Sequence, residues 1–206
     1  MKQLLLIAAI ALSSDYNAQA AVSCSQYGVE LSEMMDAHKA AFAAIPTHTS
    51  VEAGIEALQL VGRQNTERLK PFVGNCGWPR GSVEGRQAAG NAFFIARLSD
   101  HDLPFQKTVL ALLQTAARIG DVSPLHFAFL SDHIAVAEGR AQYYGTQLVV
   151  VAACKFNFAP LDDRSQVEAR RKELKLQPLD EFISMVNSSA DSNGCQAPTA
   201  PEQPGG

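Results

Sequence analysis

The chain has 206 residues and a formal net charge of −4 at pH 7, with 17 Lys and Arg against 21 Asp and Glu. The basic residues are scattered rather than gathered into a run, which argues against nucleic acid and anionic membrane surfaces as partners. Setting the N-terminal segment aside leaves about 185 residues, enough for one hydrophobic core and short for two domains.

Residues 1–20 read as a signal peptide. Lys2 supplies a positive start, Leu4 to Leu12 is an apolar run roughly half the ~20 residues a membrane span needs, and Ala18-Gln19-Ala20 fits the small-x-small cleavage rule. The mature protein is therefore expected to be periplasmic or secreted, without an integral membrane span. Lipidation of Cys24 is the competing reading, weakened by the eleven residues that separate it from Leu12. In an oxidising compartment Cys24, Cys76, Cys154 and Cys195 are expected to form two disulfides, with three possible pairings. The usual closeness of domain termini favours Cys24 with Cys195, leaving Cys76 with Cys154.

Leu31, Met34, Met35, His38, Phe42 and Ile45 then recur at helical spacing until Pro46. Ser50 caps a second helix carrying Ile55, Leu58, Val61, Leu69 and Phe72, expected to stop at Gly74, and Asn75-Cys76-Gly77-Trp78-Pro79 reads as a loop. A third helix runs from about Gly85 to Ser99. A fourth begins at Pro104, carries Val109, Leu112, Leu113 and Ala116, and ends at Gly120. Ser123-Pro124 is a cap followed by proline at the first helical position, opening a fifth helix that ends before Gly139. Gln142 to Phe158, rich in Tyr, Val and Phe, reads as extended and forms a hairpin. Short helices from about Asp163 and from Pro178 complete a single domain over residues 21–187, and the Ser, Pro, Gly and Gln of residues 188–206 read as a disordered tail tethered by Cys195. The expected fold class is mainly α (α+β), a compact helical domain with one β-hairpin.

No nucleophile elbow, phosphate loop, zinc signature or dinucleotide fingerprint is present. The densest constellation is Ser131-Asp132-His133, followed nine residues later by Gln142-Tyr143-Tyr144-Gly145-Thr146-Gln147. Leu125, Ala128, Phe129, Asp132 and Val136 share one helical stripe, which turns Asp132 toward the core. A buried carboxylate must be paired or hydrogen-bonded, so Asp132 is either a site acid or a structural acid held by the turn near Tyr144. His133 lies about 100° around the helix, so the two do not aim at one substrate atom. His126, on the stripe of His133, reads as a half-exposed polar residue. Asp100-His101-Asp102 links the third and fourth helices. Its acids complement the start of the fourth helix, with Asp102 as the cap, or His101 and a carboxylate meet Asp132 or His133 across the fold in an acid-base or metal cluster.

Gln64-Asn65-Thr66, Gly77-Trp78-Pro79, Asp100-His101-Asp102, Phe105-Gln106, Leu130-Ser131-Asp132, Tyr144-Gly145-Thr146-Gln147, Arg170-Arg171 and Pro178-Leu179 follow one another in an order that resembles the bacterial domain of unknown function 6624, over about Ser50 to Met185. The resemblance implies a fold and a map of site positions, and no reaction. It also implies two departures. Where the family pattern has Q-H-A-D before the fourth helix, this chain has Arg97-Leu98-Ser99-Asp100, and where the family has T-D-R on the fifth, this chain has His133 after the acid. The family imidazole is absent, and His101 or His133 would have to replace it in a rebuilt site.

The candidate catalytic residues are Asp100, Asp132 and His133, and the candidate binding residues are Asn65, Trp78, His101, Tyr144, Thr146 and Gln147. No metal is assigned and no cofactor can be named. Asn65, Trp78, Asp100, Asp132, Tyr144 and Gln147 are expected to converge on one pocket. Two functions fit these groups. One is an exported protein that binds a small-molecule or protein ligand; the other is a hydrolase or transferase with Asp132 or Asp100 as general base. Loss of the family histidine favours binding, and a buried Asp132 favours catalysis; the balance leans to binding.

Overall fold

The computed structural model describes residues 22–192, so the expected signal peptide, Cys195 and most of the expected tail lie outside the described residues. Among these are seven α-helices and one two-stranded antiparallel sheet, the expected fold class: α1 Tyr27–Ala44, α2 Val51–Cys76, α3 Arg86–Arg97, α4 Leu103–Arg118, α5 Pro124–Ala137, β1 Leu148–Ala152, β2 Lys155–Phe158, α6 Arg164–Glu173 and α7 Leu179–Ser192. No helix of the described residues is long and apolar enough to cross a membrane.

Side-chain caps fix four of the starts. Ser50 accepts from the Ala53 N–H at 3.1 Å, Asp102 from Phe105 at 3.0 Å, Ser123 from Leu125 at 3.3 Å and Asp163 from Gln166 at 3.1 Å, each satisfying an otherwise unpaired first-turn donor. The expected stop of α2 at Gly74 is two residues early. Gly74 is an ordinary helical residue, and the chain reverses at Gly77, whose φ of 78° suits glycine.

The core gathers Tyr27, Leu31 and Met34 from α1, Leu69 and Phe72 from α2, Ile95 from α3, Val109 and Leu113 from α4, and Leu130 and Ile134 from α5. Helix α3 packs against α1, α2, α4 and α5, and its buried face is mostly alanine, Ala88, Ala89, Ala92 and Ala96, which lets the other helices approach it closely. Its C-terminal end is closed by a buried side chain. Gln106 donates through Nε2 to the carbonyls of Ala96 at 3.2 Å and Arg97 at 3.0 Å.

Helices α1 and α2 run antiparallel. Arg68 pairs with Glu30 at 2.7 Å and Asn65 donates to the Met34 carbonyl at 2.8 Å, so positions early in α1 face positions late in α2. That pairing brings Cys24, in the 3₁₀ turn before α1, to Cys76 at the end of α2. They form a disulfide with Cα atoms 5.7 Å apart, in place of both expected pairs, Cys24–Cys195 and Cys76–Cys154. Cys154, in the hairpin turn with φ 59°, is disulfide-bonded as well.

The hairpin is shorter than expected. Its register runs Leu148↔Phe158, Val149↔Asn157 and Val150↔Phe156, and residues 142–147 form an irregular loop instead of the first half of a strand. Their amides are claimed by side chains across the fold. The outer edge of β2 is held by Asn187, which accepts from the Phe156 N–H at 2.8 Å and donates to its carbonyl at 3.2 Å. That bond sits one residue before the expected start of the tail, and α7 continues to Ser192.

Candidate functional site

Asp132 is fully buried, at 0% exposure, but the apolar stripe does not bury it, because Leu125 and Val136 at its ends are 47% and 39% exposed. What covers the carboxylate is the loop after α5. Oδ1 accepts from the N–H groups of Tyr143 at 2.8 Å and Tyr144 at 3.0 Å. Oδ2 accepts from the N–H of Thr146 at 2.9 Å and from its hydroxyl at 2.9 Å. Burial pushes the Asp132 carboxyl above the usual carboxylate value, and these four hydrogen bonds pull it back.

The opposite side of the same loop meets a cation. Arg171, buried in α6, donates to the carbonyls of Tyr144 at 2.6 Å and Gly145 at 3.2 Å, with its Nε on the Gln177 carbonyl at 2.6 Å. Gln142 closes the loop on itself, donating to the carbonyls of Gln147 at 3.0 Å and Ala159 at 2.8 Å while accepting from the Gln147 N–H at 2.6 Å. The Gln147 amide reaches the Phe129 carbonyl at 3.3 Å. Tyr144 meets Phe127 edge to face at 5.8 Å, and Arg170 lies over the Tyr143 ring at 4.8 Å. With two donors on each oxygen, Asp132 has no lone pair turned to a substrate. In this arrangement the carboxylate anchors the loop.

Gly145 is the loop's steric requirement. Its φ is 65°, and a Cβ there would lie 2.5 Å from Cδ2 of Leu179 and 3.1 Å from Cδ2 of Leu161. Gly145→Ala is expected to cost about 2–4 kcal/mol, the left-handed backbone and the overpacking adding together. Urea denaturation checks this, and a variant as stable as the parent would contradict it.

A second group of the candidate residues gathers around a cleft of about 450 Å³ between α1, α2 and the α3–α4 link, lined by His38, Leu58, Gln59, Gly62, Arg63, Leu98, Asp100 and His101. An adjoining recess shares His38, Gly62 and Leu98 and reaches Asn65 and Phe94. At the rim, Oδ1 of Asp100 accepts from Nε2 of His133 at 2.7 Å and from Nε2 of Gln106 at 3.3 Å. The carboxylate belongs to the open side of this pair: the Asp100 side chain is 69% exposed and that of His133 only 21%. His38 packs edge-on against Phe94 at 5.4 Å, and burial and the nearby Arg97 hold its imidazole below the usual histidine value, hence neutral at pH 7.

The six residues expected in one pocket therefore divide. Asp100 borders the cleft, joined there by His101, and Asn65 lines the recess beside it, while Asp132, Tyr144, Thr146 and Gln147 form the hydrogen-bonded loop unit, and Trp78 belongs to the hydrophobic core. Of the cluster in which His101 and a carboxylate would meet Asp132 or His133, the structure brings together Asp100 and His133, while His101 lines the cleft. Asp102 takes the bland role, capping α4 and pairing with Lys70 at 2.6 Å. Among the described residues no group of three or more His, Cys, Asp or Glu is placed to hold a metal ion. Five lining residues, His38, Leu58, Gln59, Gly62 and Arg63, lie outside the sequence motifs. His38 shows itself only as one imidazole in an otherwise apolar stripe, and Arg63 carries no signal.

A model described as a family of unknown function, domain of unknown function 6624, matches residues 27–194, most of the chain. The chain belongs to this family. No curated protein matches it, and no solved structure does. The motifs that carry the resemblance to domain 6624 now separate by role. Tyr144-Gly145-Thr146-Gln147 and Arg171 build the loop around Asp132, and Gln106 closes α3. Asp100 lines the cleft together with Leu98, which stands at the position of the family histidine, and Asn65 lines the adjoining recess.

Proposed function

We propose that this member of the 6624 family binds a small organic molecule in the cleft between α1, α2 and the α3–α4 link, and binds it without turnover. The observation that carries this reading is Leu98. It stands where the family resemblance implies histidine, and it lines both the cleft and the recess beside Asn65. The position aims at the ligand space, and in this chain it offers a methyl surface where an imidazole would have offered acid-base chemistry. Arg63 and Asp100 supply one charge of each sign at the opening, His38 and His101 supply ring nitrogens, and Leu58 and Leu98 supply an apolar wall. That set suits a small polar molecule with an apolar portion. The signal-like residues 1–20 support a site of action in the periplasm or outside the cell.

The contact between Asp100 and His133 favours a second reading, a hydrolase or transferase with Asp100 as the general base. Under the binding reading, fragments screened by protein NMR perturb amides around His38, Leu98 and Asp100. Arg63→Ala weakens those that carry a carboxylate by about tenfold, the loss of one charge-assisted hydrogen bond. Leu98→His changes affinity and creates no turnover on a broad panel of ester, amide and phosphoester substrates. Turnover that appears with Leu98→His and disappears on adding Asp100→Asn would establish the second reading instead.

A further inference from the structure

A second cavity, of about 670 Å³, lies elsewhere, between the turn before α3 and the α4–α5 link. We propose that it is a separate binding site for a small organic carboxylate that carries a hydroxyl or amino group beside the acid. The inference does not depend on the reading of the α1–α2 cleft.

The lining is rich in hydrogen-bond donors. Arg86 opens α3 beside the cavity, and its guanidinium has no hydrogen-bond or ion-pair partner among the described residues. Ser123 uses its oxygen to accept from the Leu125 N–H, which leaves its hydroxyl hydrogen free to donate, and the Ser82 hydroxyl is unpaired among the described residues. His126 is fixed by stacking flat on Phe93, with ring centroids 4.0 Å apart and planes 2° from parallel. Its Nδ1 is buried without a partner, a place that tolerates a lone pair better than an N–H. The proton therefore sits on Nε2, so the neutral imidazole offers a donor on its accessible side. Burial holds His126 below the usual histidine value, in keeping with a neutral ring.

The floor is built to close tolerance. The Gly81 N–H donates to the Asp121 carbonyl at 3.1 Å, and a Cβ on Gly81 would lie 3.1 Å from that oxygen and 3.4 Å from Cγ of Arg86. Glycine is what lets the turn lie flush against the α4–α5 link.

The charges select the ligand. Arg86 is the only cation of the lining and Asp121 its only carboxylate. Arg86 and Asp121 cancel, so a hydroxy-acid monoanion paired with Arg86 brings the site to a single negative charge, and an amino-acid zwitterion leaves it neutral. A phosphate dianion would bring surplus negative charge beside Asp121, which repels it. Asp121 in turn accepts from a donor next to the ligand's acid group. The volume exceeds what a carboxylate fills, and Ala89 and Val122 give the remainder an apolar wall.

Titration followed by protein NMR tests this with mandelate, phenylacetate and phenyl phosphate as probes, on the parent, Arg86→Gln, Asp121→Asn and, as a control in the other cleft, Arg63→Gln. Mandelate is expected to shift the amides of Arg86, Ser123 and His126. Arg86→Gln should weaken the binding read at those three amides about tenfold or more, and Arg63→Gln should leave the response of those amides unchanged, whatever mandelate does in the other cleft. Phenylacetate and phenyl phosphate should bind several-fold more weakly than mandelate in the parent, with that preference lost in Asp121→Asn. No response at millimolar mandelate, or binding unaffected by Arg86→Gln, would overturn the site. Phenyl phosphate binding as well as mandelate would overturn the carboxylate assignment. Arg86 is exposed, so its replacement should leave the fold intact, and an unchanged amide spectrum verifies this.

Discussion

Asp132→Ala should lower stability by about 3–5 kcal/mol, the range seen when one partner of a buried charged network is removed. The substitution leaves three backbone N–H groups and the Thr146 hydroxyl without their acceptor, in a place no water reaches while the loop is closed. It also removes one of the two carboxylates, Glu168 and Asp132, whose charge favours the buried Arg171. Each unsatisfied buried group costs about 1–3 kcal/mol if the loop stays in place. The measured loss falls below that sum because the loop relaxes outward to find water. Thermal denaturation should show a melting point roughly 10 °C lower, at 2–4 °C per kcal/mol for a domain of this size. An exposed acid such as Glu173 replaced by alanine should change it by no more than about 0.5 kcal/mol. If Asp132→Ala melts with the parent, the carboxylate is not the anchor.

Breaking the Cys24–Cys76 disulfide should have the next largest effect. The bond closes a loop of 52 residues, for which the chain-entropy relation gives about 4 kcal/mol. The double variant Cys24→Ser/Cys76→Ser is expected to lose about 2–4 kcal/mol, since the 3₁₀ turn it ties down packs on α1 in either case. Unreduced peptide mapping of the parent checks the premise. A cross-linked peptide must contain Cys24 and Cys76, and a Cys24 peptide joined to any other cysteine would refute the pairing.

The helices were legible because local chemistry decides them. Ser50, Asp102, Ser123-Pro124 and Asp163 announce their helix starts in the sequence, and each side chain is found bonded to the first turn. The disulfide was not legible, because the closeness of Cys24 to Cys76 follows from α1 and α2 lying antiparallel, a tertiary fact. Proximity of the chain ends was the wrong guide. The loop from Gln142 to Gln147 looks like strand by composition, but its amides answer to a carboxylate on α5, and long-range demand overrides propensity. Asp132 was rightly placed in the interior for a reason only half correct, since the loop and not the stripe covers it. In the cleft, Asn65, Asp100 and His101 were marked by family motifs, whereas His38 arrives from a helix outside those motifs and becomes a neighbour of Leu98 only when α1 folds against α3.

The loop around Asp132 is gripped almost wholly by its main chain: the carboxylate takes backbone amides from above and the guanidinium of Arg171 takes backbone carbonyls from below. Such a lock is keyed to a path in space and is nearly blind to the side chains that travel along it. Tyr143, 44% exposed, is therefore free to vary toward any residue that keeps the path, and a new surface can be written there without disturbing the scaffold. The freedom ends at the residues whose side chains or lack of one define the path, Asp132, Gln142, Gly145, Thr146 and Arg171.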